Sequence, residues 1–248
     1  MQNNNQRFST PAPPQNAQPY DGVLPVDKPT GITSHDVVDA IRRKVGIKRV
    51  GHGGTLDPAA TGVLLIMLGR GTKLSERLMT SDKTYEGTLY LGSATDSQDA
   101  TGTVTEEGEW KHITQEQLEE EMKNFKGDFY QTPPMVSAVK INGVPLHKLA
   151  RKGKTVERKP RLVHIYKFQI LDFNPPEIKF VLRCTKGTYV RTICYDIGEK
   201  LGCHAHLSAL RRTSAGSIDI EATTPLNDLL EMDYQLLLDK IIPIRNFT

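Results

Sequence analysis

Gly51-His52-Gly53-Gly54-Thr55-Leu56-Asp57-Pro58 is a polar, glycine-rich stretch that leads into an unbroken apolar run, Val63 to Leu68. Together they constrain the fold more than any other feature of the chain. The run supplies a rigid buried segment, and the loop ahead of it carries a single carboxylate. Glycines permit turns that a side chain would block and leave room for a large ligand. Pro58 biases Asp57 towards an extended conformation and keeps a helix from running through it. The stretch lacks the closing Gly-Lys-Ser/Thr of a P-loop and the Gly-x-Gly-x-x-Gly spacing of a dinucleotide-binding unit. Alone it reads as a turn, so other segments must decide whether it carries chemistry.

A chain of 248 residues holds one large domain, or one domain with a small appendage. Its 38% hydrophobic and 25% charged content suits a soluble globular protein. No apolar run approaches the roughly 20 residues that span a bilayer. A net charge of +3 says little by itself, but its distribution says more. Lys140, Lys148, Arg151, Lys152, Lys154, Arg158, Lys159 and Arg161 face one acid, Glu157, in that segment. Arg42, Arg43, Lys44, Lys48 and Arg49 form a second basic cluster just before the glycine-rich loop. Such segregation suggests a polyanionic substrate such as nucleic acid, with a solvated surface as the alternative. Cys184, Cys194 and Cys203 have no C-x-x-C spacing, which argues against a disulfide framework or structural zinc and favours a reducing cytosol. They read as small buried hydrophobes.

Residues 1–20 contain four Gln, four Asn and four Pro and read as a disordered tail. Order is expected to begin near Val23. Ser34 is a candidate cap for a helix carrying Val37, Val38, Ile41 and Val45, which Gly46 ends. Lys83 to Leu91 alternates as a strand with Tyr85, Gly87, Leu89 and Leu91 on one face. Thr114 and Gln117 form a capping-box pattern before a helix with Leu118, Met122 and Phe125, closed by Gly127. Ile178 to Cys184 is another half-buried strand, and Arg191 to Leu201 reads as a helix. Tyr90 and Tyr166 read as strand packing. This mixture without regular βαβ alternation predicts an α+β fold with a mixed, largely antiparallel central sheet and flanking helices. Thr132 to Val156 looks like a basic excursion from that sheet, a lid or a nucleic-acid clamp.

Four segments then stand out in order: the loop through Asp57; Lys83-Thr84-Tyr85-Glu86; Leu91 to Asp99 with Gly102; and Cys184 to Thr192. With Pro133 to Lys140 and Leu210-Arg211-Arg212-Thr213, they closely resemble the tRNA pseudouridine synthase B family over about residues 22 to 230. The resemblance implies the pseudouridine synthase fold with a thumb insertion at about 132–156. It implies one catalytic domain over residues 21–248, with little room for the small C-terminal RNA-binding domain many relatives carry. Gly53 stands where the family usually has Thr, and the long N-terminal tail is atypical.

The activity implied is isomerisation of a uridine in the T-loop of tRNA by a cytoplasmic enzyme, with no guide RNA, obligate protein partner or membrane. Position by position, Asp57 matches the catalytic aspartate and Arg191 the arginine that pairs with it. Tyr85 matches the tyrosine that stacks on the target base, Tyr189 a pocket-lining residue, and His52 the histidine that helps hold the rearranged loop. Asp99 is assigned to the thumb contact, and Lys73, Leu210 and Arg211 to substrate binding. Thumb cations, with Arg211 and Arg212, are expected on stem phosphates, making affinity salt-dependent.

The chemistry is coherent in itself. The N1 to C1′ bond breaks, the base rotates and C5 joins C1′; with no redox change, no metal or organic cofactor is required. A carboxylate either attacks C1′ or acts as a base at the sugar. A guanidinium, pairing in bidentate geometry, would keep it ionised in a dry pocket. If Tyr189 and Arg191 lie on an extended segment, their spacing puts both on one face. The target uridine must leave its stack at a cost of a few kcal/mol, of which an aromatic platform recovers roughly 1–3 kcal/mol. An RNA-guided synthase, a non-catalytic RNA chaperone and a nucleotide-binding protein are the competing readings.

Overall fold

The computed structural model describes residues 21–247 except 138, 142, 147, 148, 150–152 and 155. The expected tail at 1–20 and the thumb cations Lys148, Arg151 and Lys152 lie outside the described residues. The chain forms two compact units, one from residues up to Ser81 with Arg212–Thr248, the other from Asp82–Arg211. Among the described residues no helix is long and apolar enough to cross a membrane.

The first unit begins with β1 (Gly22–Lys28), α1 (Ser34–Val45), β2 (Val50–His52), β3 (Thr61–Leu68) and α2 (Ser75–Thr80). β1 and β3 pair antiparallel with Leu24 opposite Ile66, and β2 pairs antiparallel with β3, His52 also opposite Ile66. The unbroken apolar run becomes β3 because both of its faces are covered. Leu64, Ile66 and Leu68 pack with Leu24, Val37 and Ile41, while Val63, Leu65 and Met67 pack with Val23, Leu78 and Ile218. Each such side chain contributes on the order of 2 kcal/mol when fully buried. The cap of α1 differs from expectation. Thr33 is the N-cap, in a reciprocal box with Asp36, and Gly46 at φ 69° ends the helix. Ser34 is one residue too far along to cap, and it turns inward to the loop before Asp57.

The second unit holds β4 (Lys83–Leu91), β5 (Ser93–Thr95), β6 (Val104–Glu107), α3 (Gln115–Asn124) and β7 (Gly127–Gln131). After the short strands β8 (Lys140–Ile141) and β9 (Val144–Pro145) come β10 (Arg161–Asn174), β11 (Glu177–Cys184) and α4 (Val190–Leu201). The order β4-β11-β10-β7 is antiparallel throughout. Tyr85, Leu89, Phe180 and Leu182 are buried, as the alternation predicts, and α3 packs on α4 and β10. The capping box at Thr114 and Gln117 forms, although α3 ends at Asn124 with Phe125 as its C-cap. Tyr90 packs on His206, with ring centroids 5.2 Å apart. Tyr166 does not join the core. It is half exposed, between His164 and the Arg183 guanidinium, because its position in β10 faces solvent. All three cysteines are buried free thiols.

β12 (Ala205–Ala215) carries the chain back into the first unit. There β13 (Thr224–Pro225) pairs parallel with β1, beside the short helices Leu226–Glu231 and Tyr234–Asp239. The α+β fold with a mixed, largely antiparallel sheet therefore holds.

Candidate active site

Asp57 sits on a loop whose backbone is held from behind at every step. Gly53 N–H donates to Leu65 O (2.8 Å), pinning the entry of the loop to β3. A Cβ on Gly53 would lie 3.0 Å from the Leu78 Cβ, so the threonine usual in the family would have to push that side chain aside. From Gly54 to Ala60 every carbonyl has a donor. Arg212 donates to Gly54 and Thr55, Ser34 Oγ to Leu56, and Ala60 N–H to Asp57. Lys28 Nζ donates to Pro58 and Ala60, and Thr30 Oγ1 to Ala59. Ser34 Oγ also accepts from Leu56 N–H (2.8 Å). Giving each carbonyl a donor rigidifies the peptide that carries the carboxylate.

Two of these donors are buried cations. Lys28 is 0% and Arg212 2% exposed. Burial lowers the Lys28 ammonium to about 8, with the Asp57 charge opposing the shift and Arg212 adding to it. The expectation that Arg212 meets stem phosphates is therefore corrected: its guanidinium is spent on three carbonyls inside the first unit. The reason lies in strand geometry, since neighbouring residues of β12 point to opposite faces. Arg211 is half buried and remains the candidate for phosphate.

His52 lies at the end of β2 beside a hollow of about 380 Å³ lined by His35, Val50, Met67 and Met79 among others. Gly54 N–H donates to its Nδ1 (3.4 Å). Burial, then the charges of Arg212 and His35, push the imidazole below its ordinary value of 6.5. The fold thus prefers neutral His52. As pH falls through about 6.5 the unfolded chain takes up the proton first, so this residue withdraws stability on acidification. His52→Phe should lose less stability than the parent between about pH 7 and 5 in urea unfolding. Parallel stability curves for the two proteins would show that His52 charges freely in the fold. Lys73, assigned to substrate, is exposed in the 3-10 turn Gly69–Leu74 of the same unit.

The remaining assigned residues, Tyr85, Asp99, Tyr189, Arg191, Leu210 and Arg211, belong to the second unit. Arg191 and Tyr189 are not on an extended segment. Tyr189 is the N-cap of α4 and Arg191 lies in its first turn, yet the guanidinium still stands 5.9 Å from the Tyr189 ring centroid. Arg191 is 4% exposed; it donates to Asp99 Oδ2 (3.4 Å) and to the Val136 carbonyl. Asp99 is buried, which pushes its carboxyl up, but hydrogen bonds from Thr101 and Ser97 and the Arg191 charge hold it below the usual range. The sequence missed Gln131, whose buried amide accepts from Tyr189 N–H (2.7 Å) and donates to Tyr189 O (3.1 Å). Tyr85 is 9% exposed on the inner face of β4, opposite Leu182. Leu210 and Arg211 are half buried near the end of β12.

Among the described residues, Glu106, Glu199 and His204 bring three potential metal ligands within 4.8 Å, and His204 Nδ1 engages both carboxylates. They lie outside the set the resemblance assigns.

The family model described as TruB family pseudouridylate synthase (N terminal domain) matches residues 42–190. A second, described as tRNA pseudouridylate synthase B C-terminal domain, matches residues 191–245. Cbf5 in a solved Cbf5-Nop10-Gar1 complex is a structural neighbour, with TM-score 0.72 and 27% identity over 96% of this chain and 67% of that one. Fold and family models together define a pseudouridine synthase, an isomerase. Within that class the chain belongs to the TruB family, that of tRNA pseudouridine synthase B. The tRNA pseudouridine synthase B of Opitutus terrae is 49% identical over 224 residues, covering 90% of this chain and 93% of that protein. That of Geotalea uraniireducens is 52% identical over 208 residues, 84% of this chain and 67% of that protein.

Proposed function

We propose that the chain converts uridine 55 in the T-loop of tRNA to pseudouridine, with Asp57 as the reacting carboxylate. The observation that carries this reading is a family member's aspartate on a loop whose carbonyls from Gly54 to Ala60 each accept a hydrogen bond. Such a loop meets the demand of the reaction, which is to hold one oxygen at C1′ or its neighbouring proton while the base detaches and turns. N1 gives up its bond to C1′ and gains a proton; C5 gains the bond and loses one. Nothing is oxidised, so the residues need only orient, exclude water and move protons.

In this reading Arg191 is the counterion of Asp57, Tyr85 the stacking surface for the everted uracil and Tyr189 a wall of the pocket. The rigid seats of Arg191 on Asp99, and of Tyr189 on Gln131, support these roles by lowering the reorganisation each side chain needs. Arg211, Lys73, Leu210 and the thumb at about 132–156 serve the T stem-loop, and His52 the rearranged loop. No guide RNA is required. The test is tritium release from a tRNA transcript labelled at uridine C5. Stoichiometric release without added RNA or protein supports the reading. Binding and refolding of tRNA without release would make the protein a chaperone, and dependence on an added guide would make it a ribonucleoprotein subunit.

A further inference from the structure

We propose that Arg212 is a positioning residue for Asp57, acting through the backbone of the loop rather than through RNA phosphate. The inference rests on the reading of Asp57 given above. Three guanidinium nitrogens each serve a different carbonyl: Nε donates to Val63 (2.7 Å), Nη1 to Thr55 (3.4 Å) and Nη2 to Gly54 (3.2 Å). Gly54 and Thr55 precede Asp57, and Val63 follows it at the start of β3. One planar group therefore staples the two ends of the loop together, with the carboxylate at its crown.

Three features make this a device rather than a chance burial. The guanidinium is 2% exposed, so the same nitrogens have no surface to offer a phosphate. Its fork spans diverging acceptors that the point charge of a lysine cannot serve together. The backbone of Arg212 itself lies against Gly62, where a Cβ would come within 2.2 Å of the Arg212 carbonyl, so the staple is seated where the loop enters β3. Lys28 and Ser34 complete the frame on other carbonyls, at Pro58, Ala60 and Leu56, leaving the Gly54-Thr55 limb to Arg212. Loss of the staple frees that limb to turn, and misplacing a reacting group by an ångström costs about a hundredfold in rate.

The experiment compares Arg212→Lys and Arg212→Gln with Arg211→Gln, measuring kcat, KM and the salt dependence of tRNA affinity. For both Arg212 variants kcat should fall by roughly tenfold to a hundredfold, with KM within about twofold and the salt slope unchanged. Arg211→Gln should instead reduce the salt slope by about one, the signature of a lost phosphate contact. Lysine keeps the charge and loses the fork, so failure of Lys to rescue kcat separates geometry from charge. Should Lys fail to fold, the neutral and smaller Gln carries the same readout. A reduced salt slope with kcat intact would make Arg212 a phosphate ligand, and unchanged kcat with unchanged slope would make it inert; either overturns the proposal. Asp57→Asn in the same assay keeps the two questions apart: if it remains active, the reading of Asp57 fails whatever Arg212 does.

Discussion

Asp57→Asn is expected to reduce uridine isomerisation by on the order of 10⁴-fold or more, as removal of a reacting group does when its partners remain. The amide is isosteric and leaves in place the bonds that Ser34 and Arg212 make to the backbone carbonyls of Leu56, Thr55 and Gly54. Binding of tRNA should stay within a few-fold of the parent, since affinity for a polyanion is set chiefly by phosphate contacts. Tritium release from the labelled transcript and filter binding of the same RNA measure the two quantities side by side. Retention of parental turnover by the amide would remove Asp57 from the chemistry. A parallel collapse of binding would instead mean that the substitution disturbs the loop and not the reaction.

The second large effect is on stability. Gly62 has φ of +101°, and a Cβ there would lie 2.2 Å from the Arg212 carbonyl and 2.8 Å from its amide nitrogen. Both obstacles are backbone, so no side chain can swing away to make room. Gly62→Ala combines backbone strain with overpacking and should cost about 3 kcal/mol or more. For a chain of this size that is a fall in Tm of roughly 6–12 °C. Gly127→Ala is the matched control: φ is +85° there, but nothing lies within 4 Å of the new Cβ. It carries the conformational strain alone, about 1 kcal/mol. Thermal unfolding of the two variants separates crowding from strain, and equal losses would show that the Arg212 approach is not tight.

Periodicity made much of the second unit legible. β4 and β11 are one-sided strands, so their alternation shows directly, and the box at Thr114 forms because its two side chains and two amides are local partners. The apolar run of β3 was legible as buried but not as a two-faced strand, since its second layer comes from Ala215 and Ile218, far along the chain. Ser34 and Thr33 are equally good caps on paper. Only the position of Leu56 decides that the serine turns inward.

The order of motifs in the chain was enough to establish the family and to single out Asp57, because the glycines, the acid and the proline stand together in one short loop. It was also enough to mark Tyr189 and Arg191 as neighbours, though by way of a helix start and not a strand. Two adjacent arginines, 211 and 212, looked alike. Which of them is buried follows from the pleat of β12, and what the buried one grips follows from where β3 and the loop before Asp57 come to lie. The same holds for Lys28 and Gln131, whose partners are backbone atoms about 30 and 58 residues away. A backbone carbonyl is identical in every residue, so contacts made to it leave no mark in the sequence and exist only once the chain has folded.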